Sequence, residues 1–463
     1  MLRPRIAVIG GGTLGLFTAA RLAAHADVEV FEADYERTVG REGLVGASPQ
    51  VAGHRGALEG WASTLGGTST IWGGQLLPWE PWEFAGGSGR PAWPVPYEEI
   101  EAGYRAVAAD LGLDATHARV HEHGIAGPYK VPSSGEVTSR YSTWMPRAVR
   151  DMSRNRAVAR RLKGVTIHRD RAVARVERDG AGFALETVGP DGGRGRSAAD
   201  AVVVAAGTLG TSRLLTDGLD TPARPRVGQG FMDHLSMRVA EYTVTDWHRF
   251  RRYASHAYEG RVRATSKLVT TPALLERTGA LPGYAHWEFD ISGLDRRRDA
   301  PAVAAAVADG LRSHRRPLPQ GTRIYLRVDV EQPPDSCRSL HWRTGGKAPR
   351  LDLEWSASSR ERASAVVIGE AAARHLEDVG IGADLARWIR DDPGTDTFHM
   401  MGGATMATDP DQGVVDPWGG VHGVDRAWVV GAAVFPSGGV ANPTFTAMAL
   451  ATRTAARIEE ALA

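Results

Sequence analysis

Residues Ile6 to Asp34 constrain this chain more than any other stretch. Four apolar residues, Ile6-Ala7-Val8-Ile9, read as a buried strand and run directly into Gly10-Gly11-Gly12-Thr13-Leu14-Gly15, which fits the spacing G-x-G-x-x-G. An Ala/Leu-rich helix is expected over 14–25, then a second strand, Val28-Glu29-Val30-Phe31, ending on Glu32. In such a unit Gly10 permits the tight turn, Gly12 lets backbone approach a pyrophosphate, and Gly15 lets the helix pack closely on the strand. The helix start over Thr13 and Leu14 offers free N–H groups and a partial positive charge to phosphate. Glu32 follows the first glycine by about 20 residues, where a carboxylate accepts hydrogen bonds from the adenosine ribose. Strand, glycines, helix, strand and acid in this order predict a dinucleotide site on a Rossmann-like α/β domain.

The remaining composition narrows the function mainly by exclusion. The 463 residues exceed one domain of ordinary size, so two or three domains are expected. A formal net charge of +1 gives no reason to expect nucleic acid or an anionic membrane as partner. Only 4 of the 55 basic residues are lysines, and no arginine run is long enough to track phosphates. Cys337 is the sole cysteine, which excludes an internal disulfide and a thiolate metal cluster. The first strand begins at Ile6 and leaves no room for a signal peptide, and no apolar run approaches the ~20 residues of a membrane span. A cytoplasmic location is the expectation.

Further along, Gly66-Gly67-Thr68-Ser69-Thr70-Ile71-Trp72-Gly73-Gly74 is dense in small residues, as where backbone passes close to something large. Tyr97 to Leu111 reads as an amphipathic helix with acidic residues in its first turn. Residues 116–146 look turn-rich and are expected to form a surface or lid segment. Strands return at Val165–His168 and Ala172–Val176, a glycine-rich hairpin tip spans Pro190 to Arg196, and Ala201–Gly207 is a fully apolar strand ending in glycine. These segments are expected to add strands to the first sheet. Tyr325–Val330 alternates with period two, and Arg360–Val379 has helical periodicity. A strand at Trp428–Val430 and a closing helix from Thr444 to Leu462 complete the chain.

The closing helix begins Asn442-Pro443-Thr444, which reads as an N-cap followed by proline at the first helical position. Gly438-Gly439 just before it allows a ligand to come close. A helix start stabilises negative charge, so one aimed at the pyrimidine ring of a flavin would favour its reduced form. His399 lies in the turn-like Phe398-His399-Met400-Met401-Gly402-Gly403. His121 and His123 flank Glu122 without a third ligand at useful spacing, so no metal site is expected. Serine-hydrolase and P-loop motifs are missing, and no second G-x-G-x-x-G offers a seat for a separate NAD(P).

Taken together, these segments resemble the glucose-methanol-choline (GMC) oxidoreductases, flavoenzymes that oxidise alcohols. Besides the N-terminal fingerprint, the resemblance rests on Gly66–Gly74, Ala205–Leu215, Val227–His234, Glu331–Arg338, Gly413–Pro417, Val421–Val424 and Ser437–Thr444. It implies FAD as cofactor, held by Gly10, Gly12, Thr13, Leu14, Gly15, Glu32, Thr68, Ser69, Trp72, Gly73, Gly74, Val173, Ala206, Gly207, Gly431, Ala432, Asn442, Pro443 and Thr444. The family places its catalytic histidine before a glycine-rich turn, with a second His or Asn some forty residues later. His399 and Asn442 hold those places, as in pyranose and cholesterol oxidases.

The resemblance assigns the general-base role to His399 and the orientation of the alcohol to Asn442, with hydride passing to the flavin. Where pyranose oxidases carry Thr-His-Trp, with that histidine bonded to the flavin, this chain has Thr70-Ile71-Trp72. FAD is therefore expected to be bound non-covalently. Many members have an Asp after the late strand, but here Val430 is followed by Gly431-Ala432. The implied architecture is an FAD domain from 1–78, 150–232 and 400–463. It interleaves with a substrate domain from 79–149 and 233–399, built on a mostly antiparallel sheet with helices. The expected substrate is a small-molecule alcohol, preferably sugar-like, with oxygen or another electron acceptor as partner. A dehydrogenase serving a quinone or carrier protein, or an oxidase of a sterol or other alcohol, are the alternatives, with a lyase keeping a structural flavin as the remote one.

Overall fold

Five strands build the sheet that the first motif requires. In the computed structural model, which describes residues 3–33, 38–39, 50–87, 89–125, 132–295, 297–313, 317–334, 338–343 and 349–463, they run parallel. Their order is Ala427–Val429, Ala201–Val204, Arg5–Ile9, Asp27–Phe31 and Thr166–His168. Ile6, Val8 and Ile9 are buried along with Val202, Val203 and Val204, the uniformly apolar pattern of a parallel sheet covered on both faces. The first helix runs Thr13–Leu22 and the closing helix Pro443–Leu462, and the two pack against each other. Asp34 and Cys337 lie outside the described residues.

The return of strands after Gly164 divides between two sheets. Thr166–His168 and Ala201–Val204 join the parallel sheet, but Ala172–Asp179, Gly182–Val188 and Arg194–Ala199 form a separate antiparallel meander. The reason is local: short turns at 180–181 and 189–193 let consecutive strands pair at once, without a crossover helix.

A second, large sheet is antiparallel throughout. Its path is Ala383–Trp388, His234–Val244, Arg323–Glu331, Gly283–Asp290, Val262–Thr270, Val137–Trp144 and Gln75–Leu76. One face is apolar: Leu235, Met237, Val239, Ile324, Leu326, Val328 and Val330 pack with Ala365, Ile368, Ala372 and Leu376 of the Ser359–Val379 helix. That helix starts on a capping box between Ser358 and Glu361. The alternate positions of the same strands carry His234 and Ser236, Asp329 and Glu331, and Tyr284 and His286, so the opposite face is polar.

The expectation of a surface or lid segment over 116–146 is corrected. Its described part contains a helix, Thr116–His123, and the strand Val137–Trp144, which is interior to the large sheet. Ser142 and Thr143 are fully buried there, and burial of such small polar residues hides the apolar alternation that marks a strand. Among the described residues no helix is long and apolar enough to cross a membrane.

Candidate active site

A cavity of about 310 Å³ opens at the ends of the parallel strands and is lined by both the N-terminal and C-terminal motifs. Gly10, with φ of +102°, makes the turn, and a Cβ there would sit 2.6 Å from the Ala205 carbonyl oxygen. A Cβ on Gly15 would collide with the Gly10 carbonyl, so helix and strand touch through that glycine. Gly12 differs: a Cβ there meets nothing closer than Gly67 Cα at 3.8 Å, and it would project into open space. Gly207 and Gly431, both at positive φ, likewise face open space.

Thr13, Leu14, Glu32, Thr68, Val173, Ala206, Ala432, Pro443 and Thr444 line the same cavity. The Glu32 carboxylate accepts the Gly11 N–H at 2.7 Å, which fixes it at the rim. Trp61, Arg171 and Trp342 line it too and were not singled out from the sequence, and Arg213, which also lines it, was named only within the matching stretch Ala205–Leu215. Bare backbone at Gly12, Gly207 and Gly431, a carboxylate at one end and a helix start at the other suit a dinucleotide, so the residues fit FAD.

Other expected cofactor residues stand off the cavity. The Ser69 hydroxyl donates to the Gly66 carbonyl and accepts the Met152 N–H at 3.0 Å. The Trp72 indole donates to the Arg150 carbonyl. A Cβ on Gly73 would strike Trp144, and one on Gly74 would strike Arg150. These four hold the 66–74 loop onto its neighbours, and Thr68 is the residue of the group that reaches the lining.

At the cavity's far end His399 meets Asn442, with Asn442 Nδ2 2.7 Å from His399 Nε2. The capping role read from the sequence is overturned, since the Asn442 side chain makes no cap hydrogen bond. His399 Nδ1 lies 2.7 Å from Thr397 Oγ1 and 3.2 Å from His234 Nδ1. Beneath this pair sits Asp233, fully buried. Its carboxylate accepts the backbone N–H groups of His234, Thr397 and His399, the Thr397 hydroxyl and His54 Nε2. The sequence named Asp233 only within a matching segment, and nothing local could identify it as a hub.

These contacts determine where the protons are. His234 Nε2 lies 2.8 Å from the Gly439 carbonyl, which can only accept, so that nitrogen is protonated and a neutral His234 presents Nδ1 as an acceptor. Asp233 also only accepts, so the Thr397 hydroxyl points its hydrogen there and leaves its oxygen to accept. His399 Nδ1 therefore faces two acceptors and carries the proton. Nε2 is left unprotonated, and its lone pair accepts from Asn442 Nδ2.

Burial first, and then the field of His234, push the His399 imidazole down to about 4, so it is neutral at pH 7. For Asp233 burial acts upward, but the hydrogen bond from His54 and the fields of His54, His399 and His234 outweigh it and hold it well below the usual carboxylate range. Asn442 Oδ1 is buried and has no hydrogen-bond partner among the described residues.

Residues 339–451 match the family model for the GMC oxidoreductases. A stretch of 65 residues, 14% of this chain and 12% of that protein's length, is 40% identical to 6'''-hydroxyparomomycin C oxidase from Streptomyces lividus. The fold is similar to that of pyridoxine 4-oxidase from Mesorbium loti, with TM-score 0.61 and 18% identity over 98% of this chain and 99% of that one. Formate oxidase from Aspergillus oryzae (TM-score 0.58, 16% identity) and a fungal aryl-alcohol oxidase (0.58, 15%) each match over 99% of both chains. Joined to a Rossmann-like cavity and an antiparallel second sheet, these matches bear out the resemblance to the GMC oxidoreductases: residues 339–451 fit that family's model, and the whole chain shares the fold of FAD-dependent oxidases.

Proposed function

We propose that the chain oxidises the hydroxyl of a sugar-like or glycosidic small molecule to a carbonyl, with His399 as general base and oxygen as electron acceptor. The observation that carries this is the unprotonated Nε2 of His399, which accepts the Asn442 amide N–H at 2.7 Å and belongs to a residue lining the FAD-sized cavity. An alcohol oxygen that displaces the direct bond between them gives its proton to Nε2 and accepts the Asn442 N–H. Thr397 and His234 keep the other imidazole proton at Nδ1, so that nitrogen does not compete for the alcohol's proton. When bound, FAD supplies the two-electron acceptor for the hydride that leaves the same carbon. A general base at hydrogen-bond distance contributes typically ~10²–10⁴-fold.

The substrate class is supported by the polar sheet face beside the pair. Asp329 and Lys267 lie close enough for their charges to act on His399, and Ser236 and His286 contact Asp329. A polar surround of this kind suits a hydroxylated substrate better than a hydrocarbon. The short match to an oxidase of a hydroxyparomomycin agrees with it. Non-covalent attachment is supported by the cavity lining, where His399 is the histidine present, and by Ile71 standing in sequence where the resemblance puts the linking histidine. His168 is occupied by Glu29 and stacked on Phe31, and His422 by the Ala407 carbonyl.

An anaerobic screen of alcohols and glycosides for flavin bleaching, followed by admission of oxygen and assay of peroxide, tests the reading. Bleaching by a polyol or glycoside that slows ~10²–10⁴-fold in His399→Ala is expected. Equal rates in wild type and His399→Ala would place the base elsewhere.

A further inference from the structure

The turn just before Asn442 is held in an unusual way. Glu331 Oε1 accepts the N–H groups of Gly438 and Gly439, at 2.9 and 3.0 Å. Glu83 Oε1 accepts the N–H of Val440 at 2.8 Å, and His234 Nε2 donates to the Gly439 carbonyl at 2.8 Å. Four polar groups of three successive residues are thus bound by three buried side chains. Both carboxylates have no exposed surface. Burying a carboxylate is costly, and each has an arginine nearby: Arg90 is 3.4 Å from Glu331, and Arg140 is 3.7 Å from Glu83. An exposed turn would satisfy the same N–H groups with water at far less cost.

The placement links the turn to the catalytic pair. Glu331 and His234 stand directly opposite each other on neighbouring strands of the large sheet. The same His234 presents its other nitrogen to His399. Gly439 takes φ of +60°, and a Cβ there would enter the Trp79 ring, so the turn has little freedom of its own. Asn442 follows Val440 by two residues and lacks the cap bond that would fix it locally.

We propose that Glu331, Glu83 and His234 act as positioning residues, a three-point clamp on Gly438–Val440 that sets the Asn442 amide against His399. The inference rests on the reading that this pair handles the alcohol, and its first test does not depend on that reading. Hydrogen exchange of the holoenzyme, followed in a peptide covering 437–442, should show slow amides in wild type and at least tenfold faster ones in Glu331→Ala.

With an alcohol found by the bleaching screen, Glu331→Ala should lower kcat tenfold or more while KM changes less than threefold. Glu331→Gln keeps a carbonyl acceptor and should recover most of that loss. Exchange that does not change in Glu331→Ala overturns the clamp. Fast exchange with wild-type kcat overturns the positioning role. If Glu331→Ala does not fold, Glu331→Gln is judged alone: the proposal requires faster exchange and a two- to fivefold lower kcat together, and fails if either is missing. If no alcohol bleaches the wild type, the proposed function fails and the exchange result still decides the clamp.

Discussion

Thr397→Val is the sharpest test of how the base is tuned, because it removes one hydroxyl and almost no volume. In the wild type that oxygen accepts from His399 Nδ1 and donates to Asp233 Oδ1, each at 2.7 Å. Without it, the Nδ1 proton keeps only the longer contact to His234 Nδ1 at 3.2 Å. Losing one such acceptor removes about 1 kcal/mol from the stabilisation of the imidazolium that forms as Nε2 takes the alcohol's proton, a factor of about five in rate. Anaerobic flavin reduction by a good alcohol should therefore slow about fivefold. Thr397→Ser restores the hydroxyl and should return the rate. Stability should fall by about 1.5–3 kcal/mol, the range for a hydrogen bond to a charged partner, since Asp233 keeps its four other donors. Stopped-flow reduction and thermal unfolding measure the two effects separately. A Val variant that reduces its flavin within twofold of wild type, or a Ser variant no faster than Val, would refute the proton assignment.

Gly12→Val places a branched side chain in the open space before the first helix, and the purified variant should be colourless; full flavin occupancy would move the site. Acid precipitation should release all flavin into the supernatant, and colour kept in the washed pellet would mean a covalent link. The rate of flavin reduction should rise with pH through about 4, where His399 loses its proton, and stay flat from 6 to 8; a midpoint near the ordinary 6.5 would show an imidazole open to water. The same shift makes the unfolded chain take that proton first, so His399 should cost stability as pH falls from 6.5 towards 4.

The parts of the fold that depend on neighbours in sequence were legible. Tyr97–Leu111 forms as read, and the helix expected at Arg360 starts one residue earlier, because apolar spacing and capping act within a few turns. The glycine motif was legible for the same reason, since turn, close approach and helix start occupy six successive residues. The Val137–Trp144 strand was not, because its buried positions include serine and threonine. The hub at Asp233 was not either: its donors come from His54, Thr397 and His399, separated from it by 179, 164 and 166 residues. His399 and Asn442 became visible through family resemblance, whereas Thr397, Glu83 and Glu331 act through contacts that only the folded chain creates.

Asn442 shows why a sound local rule gives way at this place. An Asn before Pro at a helix start ordinarily caps the first turn, which is worth ~1 kcal/mol. Here the amide turns away, donates to His399 and leaves Oδ1 buried and unpaired, at a further cost of about 1–3 kcal/mol. A helix so arranged is less stable than its sequence allows, and the loss is confined to one end. That end faces the cavity: Pro443 and Thr444 line it, and no capping side chain stands between the ligand and the helix start. The partial positive charge there is thus left for a bound group, and the amide is left for the alcohol. Conflict between local propensity and observed geometry is expected where a side chain serves a ligand instead of its own backbone.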